Sequence, residues 1–381
     1  FLNARVQVGN ELWAGNIEIH VNAKDWFAHG HQNDPKYENV ILHVVMFNDS
    51  DLNIPTIELN GRISNLMIAK YDELMQSNSW IACEASDIRL QDFEMFQFKN
   101  RLVIERLELK LDRVKSDLEE TNNDWEECHY RNLLRVFGLK VNLAGFTELG
   151  KVLPFKILRK HRENHKLTEA LLFGCAGMLN EPIDEYQKAL KAEFDFYQKK
   201  YQLSSLSPVI WNYATLRPAN FPSVRLAQLA SIINKEKMAF AEIAGLPTAA
   251  DAIKYFSATA NSYWNNHYQF GKESKQQRAK QLGKSTLGLL FINHTIPMIY
   301  ALGWFTDQGL LKEKSIDWLE KCKPEQNQII SKWFNLGYKM DTAFDTQAHI
   351  QLKNEYCNHK KCLSCAIGNR ILRNYSLGNE N

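Results

Sequence analysis

The chain has 381 residues, of which 45% are hydrophobic and 24% are charged, and its formal net charge is +2. This composition is typical of an ordinary globular protein and excludes the fibrous and intrinsically disordered classes. The length permits two or three domains with a substantial core. Because the net charge is small, it gives no overall signal for nucleic acid, and partners have to be inferred from individual sites.

Three features bear on where the protein works. The most apolar stretch, residues 287–302, is interrupted by Asn293, His294 and Pro297 and is shorter than the roughly 20 apolar residues that cross a bilayer. It is therefore predicted to be a buried core helix, with no membrane contact. The chain opens at Phe1 in a strand-like run, which predicts no signal peptide and implies residues upstream. Seven cysteines, an odd number, favour the reducing cytoplasm. No oligomeric state is indicated.

The N-terminal region, up to about residue 62, consists of short runs of branched and aromatic residues, which are typical of strands. The turn signal VGNE, residues 8–11, separates two such runs and predicts an antiparallel hairpin. Alternate side chains of a strand share a face. On the second strand, Asn16, Glu18 and His20 form a polar face, and we expect the opposite, apolar face to cover a core.

The hairpin is followed by DWFAHGHQNDPKYEN, residues 25–39, which predicts a short helix and a turn. His29 and His31 are expected on a loop or a helix end. Residues 40–47 predict a central strand that is covered on both faces, with His43 as its polar residue. Because burying an unpaired polar group costs about 1–3 kcal/mol, one interpretation makes His43 a hydrogen-bonded core histidine.

From residue 64 onward the apolar periodicity is helical. Helices are predicted near residues 64–76, 90–120, 124–137, 154–173, 183–200, 222–234 and 284–303. The fold class is therefore mixed α+β. We expect a small α/β domain at residues 1–120, a larger all-α domain at residues 121–350, and a cysteine-containing tail at residues 351–381.

A carboxylate and an imidazole two residues apart on one strand can bind a divalent metal ion. Glu18 supplies an anionic oxygen, and His20 supplies a nitrogen ligand or a proton carrier near neutral pH. Asn16 lies on the same face and is a further catalytic candidate. The contrasting interpretation is a polar seam in a small sheet, without metal.

The order of hairpin, short helix and buried strand, with Glu-x-His on the second strand, resembles the core of the PD-(D/E)xK nuclease superfamily. The resemblance implies that Glu18 binds one or two Mg²⁺ or Mn²⁺ ions and that His20 replaces the usual lysine. It also implies a paired aspartate immediately before Phe1. Three other histidines would support these ligands: His29, His31 and His43.

The resemblance implies a metal-dependent nuclease that cleaves phosphodiester bonds of nucleic acid. The alternative is a non-catalytic module that binds nucleic acid or protein and uses its histidines and cysteines structurally. The whole chain also resembles one uncharacterised bacterial domain-of-unknown-function family. The segments that carry this resemblance are LWAGNIEIHVNAKDWFAHGHQNDPKYENVILHVV, WIACE, ETNNDWEE, LRPANFPSVRLAQLA, FGKESK and YCNHKKCLSCAIG.

The C-terminal tail has a C-x4-C-x2-C arrangement with a histidine inside it: Cys357, His359, Cys362 and Cys365. The C-x2-C half is a usual metal-binding spacing, because two thiolates on one turn reach the same ion. His359, Cys83 or Cys322 could be the fourth ligand of Zn²⁺, and four thiolates would permit an iron–sulfur cluster. Reduced thiols, or a disulfide with one free thiol, are the alternatives.

Two basic segments are candidates for binding nucleic acid. In LRPANFPSVR, Arg217, Asn220 and Arg225 surround a helix start, where free backbone N–H groups and guanidinium groups favour anions. Asn220 could equally cap the helix, and Arg217 could pair with an internal carboxylate. In FGKESKQQRAKQLGKST, Lys272 and Lys284 bound a basic stretch that is predicted to be exposed.

Overall fold

The structure is a computed structural model that describes residues 1–235 and 239–376. It is mixed α+β, as predicted, with a four-stranded sheet near the N-terminus followed mostly by helices. The chain divides into two compact units. Unit 1 comprises Phe1–Met95 and the C-terminal segment that begins at Lys353, and unit 2 comprises Phe96–Leu352.

The elements are numbered in chain order. The strands are β1 (Ala4–Val8), β2 (Glu11–Asn22), β3 (Val40–Phe47), β4 (Thr56–Glu58), β5 (His267–Gln269) and β6 (Lys272–Glu273). The first helices are α1 (Asp25–Ala28), α2 (Asn65–Gln76), α3 (Asp92–Glu108), α4 (Leu111–Glu120), α5 (Trp125–Gly138), α6 (Leu143–Val152), α7 (Phe155–Lys160), α8 (His165–Cys175) and α9 (Glu185–Tyr201). The others are α10 (Pro222–Ile233), α11 (Phe240–Gly245), α12 (Ala249–Tyr255), α13 (Lys284–Leu290), α14 (Ile296–Phe305), α15 (Gly309–Glu320), α16 (Gln328–Asn335), α17 (Ala343–Gln351) and α18 (Ala366–Ser376).

The division of the chain differs from the predicted domain bounds. The first boundary lies at residues 95 and 96, not near residue 120, because the following residues make their contacts inside unit 2. Lys99 pairs with Asp345 at 2.7 Å, and Arg106 Nε donates to Gln347 Oε1 at 2.6 Å. The cysteine-bearing tail is part of unit 1.

The sheet of unit 1 has the order β1-β2-β3-β4. Strands β1 and β2 form the predicted antiparallel hairpin, and Gly9 in its turn has a positive φ of 62°. Strands β2 and β3 run parallel, and so do β3 and β4. Since parallel neighbours cannot be joined by a tight turn, the connection that contains α1 has to cross one face of the sheet.

The connection covers the polar face of β2, not the apolar one. Trp26, on α1, is buried with its ring 5.5 Å from that of His43, and the His20 side chain is only 7% exposed. On the opposite face Ile19 and Val21 are 50% and 61% exposed. The prediction that the apolar face of β2 covers a core is therefore wrong for this structure. Alternation gave the two faces correctly but not the side on which the crossover lies.

Unit 2 is built around a hydrophobic core to which helices from α5 to α13 contribute. Two long predicted helices, at residues 90–120 and 154–173, are each split in two. The second break is set by Asn164, whose side chain caps α8 by accepting from the N–H of Leu167 at 3.1 Å.

The most apolar helix of unit 2 is long and apolar enough to cross a membrane, counted as one helix over Lys284–Phe305. A π-helical turn, Phe291–Thr295, lies within it between α13 and α14. Of its most apolar window, 72% is buried inside the protein. It therefore has the burial expected of a core helix, as predicted.

Candidate metal centre

Histidines from four places in unit 1 converge on the covered face of the sheet. His20 lies on β2, and His43 lies on β3, where it is paired in register with Glu18. His29 follows α1 and His31 begins the next 3₁₀ turn. Between them lies a glycine with φ of 74°, a conformation that glycine adopts readily and that reverses the chain.

Three of these side chains form what we call the imidazole triad: His20, His29 and His31. One ring nitrogen from each lies within 4.8 Å of the others. The carboxylate of Glu18 is next to them, with Oε1 3.8 Å from Nε2 of His20. The Glu18 side chain is 29% exposed and His29 is exposed, so solvent reaches the triad from this side.

His43 lies behind the triad and orients it. Its Nε2 is 2.8 Å from Nδ1 of His20, which leaves Nε2 of His20 directed towards Glu18 and His29. His43 is fully buried, and its other nitrogen, Nδ1, has no hydrogen-bond partner. A histidine that binds a metal through one ring nitrogen usually makes a hydrogen bond through the other, as Nδ1 of His20 does with His43.

Aromatic packing holds the connection over the sheet. Tyr37 stacks on His31 with ring centroids 3.7 Å apart, and Trp26 meets the same imidazole edge-on at 5.4 Å. The start of α1 is fixed by Asp25, whose Oδ2 accepts from the N–H of Asn22 at 3.0 Å. The triad is thus supported by packed side chains, which is what a preorganised binding site requires.

Burial keeps the central histidines neutral. It lowers the pKa of His20, an effect that Glu18 opposes and that the neighbouring His31 and His29 reinforce. Burial also lowers the pKa of His43, and the adjacent His20 lowers it further. Since only the unprotonated imidazole binds a metal ion, burial favours the ligating form of His20.

A family model with the description "Protein of unknown function (DUF2851)" matches residues 1–328. The chain belongs to the DUF2851 family. The resemblance to an uncharacterised family, inferred from the sequence, is confirmed at that level, whereas the resemblance to the PD-(D/E)xK core stays a prediction. The chain matches no curated protein and no solved structure. The match to DUF2851 ends before the cysteine tail.

The structure rearranges the predicted site residues of this DUF2851 chain. His29 and His31, predicted only to support the ligands, lie where they could bind the metal themselves. The close spacing of histidines in this region was the signal for it. Asn16 does not join them, because its Oδ1 accepts from the N–H of Asn3 at 3.1 Å and a register shift separates it from Ile17.

The residues predicted to bind nucleic acid all lie in unit 2. Three of them are exposed: Arg217, Lys272 and Lys284. Arg225 is only 5% exposed, and its guanidinium donates to Asn220 Oδ1 at 2.6 Å and to Gln228 Oε1 at 3.0 Å. Burial lowers its pKa to about 10. Asn220 therefore accepts from Arg225 and its side chain does not cap α10; both residues line a cavity of about 500 Å³.

Proposed function

We propose that this protein is a metal-dependent phosphodiesterase that acts on nucleic acid, with its active site at the imidazole triad. The observation that carries the proposal is the convergence of three imidazole nitrogens within 4.8 Å, next to the carboxylate of Glu18. Three imidazoles beside a partly exposed carboxylate offer a set of donor atoms that a divalent ion can use.

The donor set indicates which ion would fit. Three nitrogens and one carboxylate oxygen suit Zn²⁺ or Mn²⁺, whereas Mg²⁺ prefers oxygen ligands and retains its waters. We therefore propose Mn²⁺ or Zn²⁺ at this site in place of the Mg²⁺ that the sequence also allowed. When bound, such an ion supplies a water of lowered pKa and offsets the charge of a phosphate group.

The protein's own groups would position and deprotonate the attacking water. His20 is held by His43, so its Nε2 keeps one direction. The Glu18 carboxylate, partly exposed beside it, can bind the ion or accept the proton of the water. His29 lies on the solvent side, so it can bind the ion while the site stays open to solvent.

Nucleic acid is proposed as the substrate because of the sheet topology around the triad. The proposal is supported by the order of a hairpin, a crossover helix and a parallel strand, with Glu18 and His20 on the second strand of the hairpin. Histidine in place of lysine removes a permanent positive charge, so the metal has to carry more of the charge stabilisation.

The second candidate function is a non-catalytic module that binds nucleic acid or protein and in which the imidazole triad is purely structural. It is favoured by the shelter of His20, whose side chain is 7% exposed, and by the burial of His43. A metal held there would fasten the crossover connection to the sheet without catalysing a reaction.

Calorimetric titration with Mn²⁺, which thiolates bind far more weakly than Zn²⁺, together with cleavage assays on DNA and RNA, separates the two. We expect one ion per chain, metal-dependent cleavage by the wild type, and at least hundredfold slower cleavage by Glu18→Gln. Glu38→Gln, an exposed glutamate on the same connection, is the matched control and should cleave normally. Metal binding without cleavage favours the binding module, and absence of metal binding overturns the phosphodiesterase.

A further inference from the structure

Three cysteines of the C-terminal segment lie close together in the chain of unit 1: Cys357 ends a π-helical turn, and Cys362 and Cys365 lie on the turn that follows it. The backbone N–H of Cys362 donates to the carbonyl of Lys360 at 2.8 Å, and that of Cys365 donates to the carbonyl of Cys362 at 3.3 Å. The turn packs against α18 at Gly368, where an added Cβ would lie 2.2 Å from the Cys362 carbonyl oxygen. Glycine is therefore needed for this close approach.

A fourth cysteine, Cys83, is distant in sequence and lies on the segment between α2 and α3. The C-terminal segment is attached to this region of unit 1 by two lysines. Lys353 Nζ donates to the carbonyl of Trp80 at 2.6 Å and lies over its ring, and Lys360 Nζ donates to the carbonyl of Met75. The cysteines of the two segments are close enough for Cys365 and Cys362 to act electrostatically on the Cys83 thiol.

We call these four residues the cysteine tetrad: Cys83, Cys357, Cys362 and Cys365. Cys83, Cys357 and Cys362 form no disulfide, and each of these three thiols is affected electrostatically by Cys365. Burial raises the pKa of Cys83 to about 11, and the nearby Cys365 and Cys362 raise it further. Burial also raises the pKa of Cys357, with the other three sulfurs adding to the effect.

A basic side chain lies near each of three members of the tetrad. Arg89 lowers the pKa of Cys83, Lys353 that of Cys357, and Lys360 that of Cys362. These charges would offset part of the negative charge of a centre with four thiolates. Metal binding would release the protons of these thiols and hold the two segments together.

The arrangement favours an iron–sulfur cluster over zinc. Four Zn–S bonds of about 2.3 Å place the sulfurs about 3.8 Å apart. In the described part of the chain, ligand atoms mutually within 4.8 Å are found in the imidazole triad and not in a group of these cysteines. The spacing C-x4-C-x2-C with a remote fourth cysteine is also one that iron–sulfur proteins use.

We propose that the cysteine tetrad ligates an iron–sulfur cluster, which fastens the C-terminal segment to the region around Cys83 within unit 1. We assign Cys83 and not His359 as the fourth ligand, since Lys353 and Lys360 hold the C-terminal segment against the residues that precede Cys83. Cys322, another candidate for that place, belongs to unit 2. The proposal is independent of the imidazole triad and of its proposed activity.

The test is to purify the full chain without oxygen, reconstitute it with iron and sulfide, and measure iron, acid-labile sulfide, zinc and visible absorption. We expect about two or four irons per chain with equal sulfide and a thiolate-to-iron absorption band near about 400 nm. One zinc per chain that iron does not displace, or no iron after reconstitution, would overturn the cluster.

The ligand set is tested by Cys83→Ser, with the buried Cys322→Ser of unit 2 as the matched control. Cys83→Ser should lose most of its iron and Cys322→Ser should keep it; full iron in Cys83→Ser overturns the assignment of that ligand. If Cys83→Ser does not fold, alkylation of the wild type decides. All four cysteines of the tetrad should resist alkylation until the cluster is removed. Alkylation of Cys83 in the protein that still holds its cluster would exclude Cys83 as a ligand.

Discussion

The hydrogen bond between His43 and His20 allows the proposed metal site to be tested without changing a ligand. His43→Phe keeps a ring of similar size against Trp26 and removes the acceptor that lies 2.8 Å from Nδ1 of His20. When His20 binds an ion through Nε2, its Nδ1–H would then be buried without a partner. An unpaired buried donor costs about 1–3 kcal/mol.

That cost corresponds to an affinity about fivefold to 150-fold weaker, since each 1.4 kcal/mol is a factor of about ten. Loss of a supporting partner in known metal sites weakens binding by a similar factor, about 10 to 100. We therefore expect His43→Phe to bind Mn²⁺ at least tenfold more weakly. Its thermal stability should change little, because the substitution also removes the unpaired Nδ1 of His43.

Isothermal titration calorimetry at neutral pH measures the affinity, and far-ultraviolet circular dichroism checks the fold. His359→Gln, an exposed histidine in the same unit, is the control and should bind like the wild type. Equal affinity in folded His43→Phe would show that the contact between the two imidazoles does not orient a ligand. Equal weakening in both variants would show that the effect is not specific to the site.

Three further predictions concern the stability of unit 2. Burial lowers the pKa of His294 to about 4 from its ordinary 6.5. As the pH falls, this histidine is therefore protonated in the unfolded chain before it is protonated in the folded one. The free energy of unfolding, measured with urea, should keep its full value above about pH 6.5 and fall by about 3 kcal/mol towards pH 4. His294→Gln should show a smaller loss over the same range. Gly174→Ala should destabilise the protein by about 1–3 kcal/mol, because the added Cβ would lie 2.2 Å from the ring of Phe194. This loss should exceed the gain of about 1 kcal/mol from the better helix propensity of alanine. An unchanged melting temperature would contradict the packing. Asp117→Ala should lower the free energy of unfolding by about 3–5 kcal/mol, because it removes the carboxylate that binds the guanidinium of Arg135 in a bidentate pair. Chemical denaturation measures this loss, and a value below about 1 kcal/mol would show that the pair is solvated.

Local patterns were sufficient for much of the fold. The turn signal after Val8 predicted the hairpin, and the helical periodicity after residue 64 predicted a helical remainder without a large sheet. Both depend on neighbours within a few residues, where backbone conformation and alternation act directly. The helix breaks were harder, because a capping residue such as Asn164 interrupts a periodicity that continues on both sides of it.

The covered side of the sheet could not be predicted from alternation. Glu18 and His20 share a face by strand geometry, but only the crossover that carries Trp26 determines that this face, and not the one with Ile19, is covered. A strand pattern identifies two faces and their polarity. It contains no information about which face a distant segment packs against.

The sequence by itself determined the chemistry available to this protein: a Glu-x-His pair on one strand, histidines nearby, and a cysteine tail with metal-binding spacing. The tertiary structure alone decided which of these residues meet. A reversal at a single glycine turns His29 and His31 towards His20, and the docking of the C-terminal segment brings Cys83 to the tail. Contacts between residues far apart in the chain arise from packing that no local pattern encodes.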